Sequence, residues 1–353
     1  MQNRRFFLLS STGLLAKNTS PEPYQFDLFQ QGTHGVHTYR IPALLETNNG
    51  TLIAIADARH ENSRDLPGKI SLVMRRSHDH GLTWQAPIII RAVAEGGVGD
   101  PSLLLDKSTG RIWCFHAYGP PGIGFHTGSS TLQWHAMFSD DHGATWSKPI
   151  DLTPQIHTST MKSMFATSGT HIQTRAGRFL VTMVVKDLDN VVAARNTYSD
   201  DHGITWKLGP TIGAGSDESH AVELKNGTIL QNIRNGNHRT IAWSKDGGIT
   251  FTGYTHDEAL LDPGCNAGIT RWKNLLIFTN AASAKRENLT VKYSKDEGRT
   301  WSPGRTLHRG PAAYSTVIPL RDGTCGVLYE RGEQHAAERI TFARLTSNWM
   351  LSK

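Results

Sequence analysis

Ser139-Asp140-Asp141-His142-Gly143-Ala144-Thr145-Trp146 decides how this chain is read, because its pattern, Ser-x-Asp-x-Gly-x-Thr-Trp, occurs five times. It returns as SHDHGLTW at 77–84, SDDHGITW at 199–206, SKDGGITF at 244–251 and SKDEGRTW at 294–301. A β-hairpin turn explains each constant position. The Asp side chain accepts from backbone N–H groups ahead of it, as in an Asx-type turn. The Gly supplies the positive φ that such a turn needs. Thr and the aromatic residue open the next strand, and the ring packs between neighbouring units. Successive Ser positions lie 62, 60, 45 and 50 residues apart. Periods of that size signal a repeat architecture whose natural unit is a four-stranded blade.

Working outward from the boxes, short β-branched or aromatic runs alternate with Gly, Asn and Asp. Examples are 51–56 (TLIAIA), 111–115 (RIWCF), 177–185 (GRFLVTMVV), 228–233 (TILQNI), 275–278 (LLIF) and 326–329 (GVLY). Amphipathic helical periodicity is nearly absent. At roughly 50 residues per blade, residues 24–353 form an all-β, six-bladed β-propeller. Five boxes serve six blades if one hairpin has drifted from the pattern. Pairing of the first and last strands closes the ring and hides its sheet edges, with 338–344 (ERITFAR) as the closing strand. Residues 1–23 are set apart. Arg4-Arg5 precede a short apolar patch that ends in Ala16, which resembles a twin-arginine export signal, and 17–23 reads as a linker. The expectation is an exported protein, periplasmic or secreted.

Composition narrows the function classes. The 353 residues carry a formal charge of +6, but Lys and Arg are scattered without a long run, so nucleic acid is not an expected partner, while an anionic ligand stays open. No apolar run is long enough to span a bilayer. Cys114, Cys265 and Cys325 are far apart, odd in number and outside any CxxC, which reads as three buried small hydrophobes. His78, His80, His142 and His202 recur because the boxes recur, so they read as turn residues rather than metal ligands. No glycine-rich loop leads into a helix, so no nucleotide or other cofactor is expected and no metal site is assigned.

In a propeller, functional side chains come one or two per blade from inner-strand ends. Several places break the local strand logic in that way: Tyr39-Arg40-Ile41-Pro42, Asp57-Ala58-Arg59-His60 with Arg64-Asp65 after it, Gly99-Asp100-Pro101, Glu218 with Arg234, and Arg286 with Tyr314 and Glu330. With the Asp boxes, this set resembles the sialidase superfamily, at the level of the bacterial and animal exo-α-sialidases. Tyr39-Arg40-Ile41-Pro42 matches the family's Tyr/Phe-Arg-Ile-Pro motif. The intervals agree as well: Asp65 follows Arg40 by 25, Arg234 follows Glu218 by 16 and Tyr314 follows Arg286 by 28.

The resemblance implies exo-α-sialidase activity on sialylated glycoproteins, glycolipids and oligosaccharides. It also implies an arginine triad, Arg40, Arg234 and Arg286, for the carboxylate of sialic acid. Guanidinium forks suit a carboxylate and stay charged in a shielded pocket. Three cations around one anion repel one another and need carboxylates behind them, and Glu330 resembles the partner of Arg40. Tyr314 resembles the nucleophile, Glu218 its base and Asp65 the acid/base, which sits on a loop that must reach the substrate and admit water. Arg59 and Asp100 match positions near the sugar's O4. A phenol makes sense where the reacting carbon already bears a carboxylate, because an anionic attacker would be repelled. One departure is 165–172 (FATSGTHI), where many bacterial relatives have a Gly-Pro-Gly type segment; it bears on pocket detail. Alternative readings are a trans-sialidase, a hydrolase of another nonulosonic acid, and a non-catalytic carbohydrate-binding propeller.

Overall fold

The computed structural model describes residues 22–351, so residues 1–21, which hold the whole export-signal reading and most of the linker, lie outside the described residues, as do 352–353. Each box closes the same hydrogen-bond cycle. Ser139 Oγ donates to Asp141 Oδ1 (2.8 Å), and the Gly143 N–H donates back to Ser139 Oγ (2.8 Å). Thr145 donates twice to Asp141, from its N–H (2.8 Å) and its Oγ1 (2.6 Å). The boxes at Asp79, Asp201, Asp246 and Asp296 repeat this pattern. Gly143 takes φ +79°, and a Cβ there would lie 2.7 Å from Ile53 Cδ1 of the preceding blade. The turn needs glycine for its backbone and again for the close approach. The other box glycines abut Trp113, Leu180, Leu230 and Phe342 in the same way, so each box staples its blade to the one before it.

These turns carry charge that depends on pH. Thr145 and Thr300 hold Asp141 and Asp296 down at about 2. At Asp201 and Asp246, partial burial pushes upward but the box hydrogen bonds outweigh it, again to about 2. An unfolded Asp titrates near ~3.9. The folded values are depressed, so the boxes contribute fully above that range and lose their contribution as pH falls toward 2. The melting temperature is expected to hold between about pH 5 and 7 and to drop steeply below about pH 4. A flat melting temperature down to about pH 2.5 would contradict this account.

Hydrogen bonding groups the strands into five sheets. The first blade holds Thr38–Glu46, Leu52–Arg59, Ile70–Ser77 and Ile88–Arg91. Next come Gly97–Leu105 through Ile150–Asp151, joined by Gly169–Thr170 in parallel pairing with Gly97–Leu105; then the rest of Met161–Ala166 through Lys207–Leu208; then Ser219–Glu223 through Thr252–Leu261. The fifth sheet has seven strands. Its long strand Arg305–Pro319 pairs with Glu287–Ser294 over its first part and with Cys325–Arg331 over its second. It therefore ends one blade and begins the next, which gives six blades in all. Tyr24–Gln30 pairs antiparallel with Arg339–Leu345 and closes the ring.

This closure corrects the expectation of a drifted sixth box. The box occupies the turn between the third and fourth strands of a blade. In the sixth blade those strands, Arg339–Leu345 and Tyr24–Gln30, are not consecutive in the chain, so no turn joins them. The core lies between blades; the Phe115, Trp134 and Trp206 rings, from the second and third blades, meet at centroid distances of 5.2–5.3 Å. All three cysteines are buried and free. Among the described residues, no helix is long and apolar enough to cross a membrane.

Candidate active site

Three inner strands break register at the same end of the ring. The ladder skips Ile41-Pro42 after Arg40, Asp100-Pro101 after Gly99, and Ala313-Tyr314 after Ala312. Bulges re-aim side chains and release backbone N–H groups from the sheet. Two of the skipped residues have left-handed backbones, Ile41 at φ +62° and Asp100 at φ +55°. That region is costly for a β-branched residue such as isoleucine. Buried carboxylates take up the released groups. Glu330 Oε1 accepts the Ile41 N–H (2.8 Å), Glu330 Oε2 accepts the Tyr314 N–H (3.3 Å), and Asp57 Oδ1 accepts the Asp100 N–H (3.0 Å).

Glu330 also holds Arg40 bidentately, at 2.8 Å to Nε and 3.1 Å to Nη2. Burial alone would lower the Arg40 pKa, but the ion pair with Glu330 outweighs it and raises the value. Arg234 Nη1 lies 2.6 Å from Glu218 Oε2, and its Nε lies 3.6 Å from Asp217. Arg286 is held differently: its Nη2 donates to the Gly264 carbonyl (3.0 Å) rather than to a carboxylate. The three cations still converge. Arg234 Nη1 donates to the Tyr314 hydroxyl (3.2 Å), and the Arg40 and Arg286 guanidinium carbons lie 5.2 Å and 5.7 Å from the Tyr314 ring centroid.

Tyr314 Oη donates to Glu218 Oε2 at 2.6 Å. Burial and then the Glu218 charge push the phenol well above its ordinary value, against Arg234 and Arg40. Burial likewise raises Glu218, against the pull of Arg234. The resting pair is thus a neutral phenol hydrogen-bonded to Glu218. No phenolate is formed in advance.

The other flank carries the exposed acid. Asp65 is 81% exposed, and its Oδ1 lies 2.7 Å from Arg59 Nη2. Its loop is seated on glycines. A Cβ on Gly97 or Gly119 would meet Leu66 Cδ2 (2.7 Å and 3.4 Å), and one on Gly124 would meet the Leu66 carbonyl (2.2 Å). Asp100 is pushed well above the usual carboxylate range by burial, then by Asp57, Asp65 and Glu218.

All nine residues singled out in the sequence therefore lie at one end of the ring, at the starts of inner strands, the ends of second strands or the adjoining loops. No sequence pattern assigns a role to Asp57, Asp217, Arg239 or Asp262. Buried Arg239 bonds Asn232, Asp262 and the Cys265 carbonyl, and Asp262 Oδ1 accepts the Gly264 and Cys265 N–H groups. That network shapes the loop whose carbonyl receives Arg286. A cavity of about 560 Å³ opens between Glu46, Gln173, Glu223, Arg271 and Arg321. These residues sit toward the far ends of the inner strands, so that open cavity is distinct from the place where the candidate groups gather.

Comparison with known proteins agrees with this architecture. The family described as "BNR repeat-like domain" matches residues 42–327. A protein named "Sialidase" from Micromonospora viridifaciens is 37% identical over 92% of this chain and 54% of its own length. Another "Sialidase", from Bacteroides fragilis, is 32% identical over 84% of this chain and 60% of its own. The chain thus spans little more than half the length of these curated relatives. Among solved structures, the Hadza microbial sialidase Hz136 superposes with a TM-score of 0.86 at 30% identity, over 93% of this chain and 69% of that one. The fold and repeats define a BNR-repeat β-propeller. Within that class, the chain belongs to the sialidase superfamily.

Proposed function

We propose that this protein is an exo-α-sialidase that removes terminal sialic acid from glycoconjugates and retains the anomeric configuration. One observation carries the reading: three arginines from separate blades surround a single phenol that is hydrogen-bonded to a buried carboxylate. Arg40, Arg234 and Arg286 take the substrate carboxylate. Their own counter-charges, Glu330 and Glu218, lie beneath them and keep the cluster stable while it is empty. Asp65 protonates the leaving oxygen. As positive charge grows on the anomeric carbon, Tyr314 attacks and passes its proton to Glu218, giving a tyrosyl–sialosyl intermediate. Asp65, now ionised, activates water, and Glu218 returns the proton as the phenol leaves. Arg59 and Asp100 flank the acid and face the sugar's O4.

Release from a fluorogenic sialoside, with the product followed by NMR, tests the class and the stereochemistry together. The α-anomer is expected first, followed by mutarotation. Initial β-anomer would overturn the two-step mechanism, and transfer to added galactoside in preference to water would favour a trans-sialidase. Arg234→Ala is expected to raise KM roughly ten- to a hundredfold, the range for hydrogen bonds to charged groups. It also lowers kcat, because Arg234 touches both Tyr314 and Glu218. An unchanged KM would remove Arg234 from the carboxylate site.

A further inference from the structure

We propose that Asp57 is a positioning residue that neutralises Arg59 from beneath and so leaves Asp65 free to carry the proton it delivers. The inference rests on the sialidase reading above. Asp57 lies on the second strand of the first blade, opposite Arg40 in the ladder, and is 1% exposed. Its Oδ2 accepts from Arg59 Nη2 (3.0 Å) and Nε (3.3 Å), while its Oδ1 accepts the Asp100 N–H that the bulge releases. The fit is close, since a Cβ on Gly99 would come within 3.2 Å of this carboxylate.

The arrangement repeats that of Glu330, in which one buried carboxylate anchors both an arginine and N–H groups freed by bulges. Arg59 differs from Arg40 in having a second anionic neighbour. The same Nη2 is shared between buried Asp57 and exposed Asp65. The charged groups facing Asp57 are Arg59 on its own strand, Asp65 on the loop above and Asp100 on the adjacent blade. Three carboxylates around one guanidinium cannot all be ionised at low cost, so the cluster retains a proton. Burial raises Asp57 to about 6, against the pull of Arg59. Above that pH its negative charge occupies Arg59 and repels a second charge on Asp65. Without it, Asp65 becomes the only side-chain carboxylate bonded to Arg59 and is held ionised, which is the wrong state for an acid.

Asp57→Asn keeps the shape and an acceptor oxygen but removes the charge. Its kcat and KM would be measured from about pH 4.5 to 8.5 on a sialyl-galactoside, which needs leaving-group protonation, and on 4-nitrophenyl sialoside, which needs little. On the galactoside, the alkaline limb of kcat is expected to move roughly one pH unit toward acid. The nitrophenyl limb stays in place, KM rises several-fold on both, and the two proteins converge below about pH 6, where wild-type Asp57 is itself protonated. Asp57→Ser, which admits a water, gives the same displacement and serves if the Asn variant does not accumulate. An equal loss on both substrates at every pH, or no change on either, would overturn the inference while leaving the sialidase reading intact. A wild-type protein that cleaves neither substrate would instead overturn that reading.

Discussion

Tyr314→Phe is expected to lower kcat on a sialyl-galactoside roughly a thousandfold or more, the scale of losing a nucleophile, while a sialic-acid-like carboxylate inhibitor still binds. The substitution removes one oxygen. That oxygen donates to Glu218 at 2.6 Å and accepts from Arg234 at 3.2 Å. Phe keeps the ring beneath Arg40 and Arg286, so the carboxylate site retains its floor. Glu218 and Arg234 still pair directly, so no buried charge is stranded. The defect should therefore fall on turnover rather than binding. Near wild-type kcat would mean that another group attacks the anomeric carbon. A parallel loss of inhibitor affinity would mean that the substitution collapsed the pocket.

Glu330→Ala is expected to destabilise the fold by about 3–5 kcal/mol, the range for removing one partner of a buried ion pair. Glu330 is fully buried and serves three donors at once: the Arg40 fork, the Ile41 N–H and the Tyr314 N–H. Without it, a guanidinium and two bulge N–H groups lose their partner. Ile41 also loses the contact that compensates its left-handed backbone. Glu330→Gln restores an acceptor but not the charge, and should recover part of the stability and less of the inhibitor affinity. Urea unfolding followed by tryptophan fluorescence measures the first effect and inhibitor titration the second. A loss below about 1 kcal/mol for the Ala variant would show that water replaces the carboxylate.

The repeats were legible because each box is a local motif. Ser139, Asp141, Gly143 and Thr145 bond one another within seven residues, so spacing alone exposes them. Ring closure was legible only in part, because the missing sixth box reflects which strands are joined by the chain. The outer strand Thr252–Leu261 was missed because it is mostly exposed on both faces and lacks alternation. Arg305–Pro319 was hidden by serving two blades in turn.

At the site, Arg40, Glu218, Arg234 and Tyr314 stood out because charged or phenolic residues interrupt apolar strands at family intervals. Asp57 was marked only as part of the 57–60 stretch, without a role, and Asp262 not at all. Asp57 matters through the N–H that a bulge on the adjacent blade releases at Asp100, and Asp262 through the loop it shapes by accepting the Gly264 and Cys265 N–H groups, and no sequence pattern ties either to the site. The expectation that carboxylates back every arginine failed at Arg286 for a related reason: a backbone carbonyl, shaped by the Arg239–Asp262 network, does that work.

Trapping the covalent intermediate tests the central claim most directly. A fluorinated sialosyl donor slows hydrolysis of the intermediate, and mass spectrometry of the intact protein and its peptides then locates the adduct. One added sugar on the peptide that contains Tyr314, absent in Tyr314→Phe, is the expected result. An adduct on Asp65 or Glu218, or turnover with no adduct on any residue, would contradict the account.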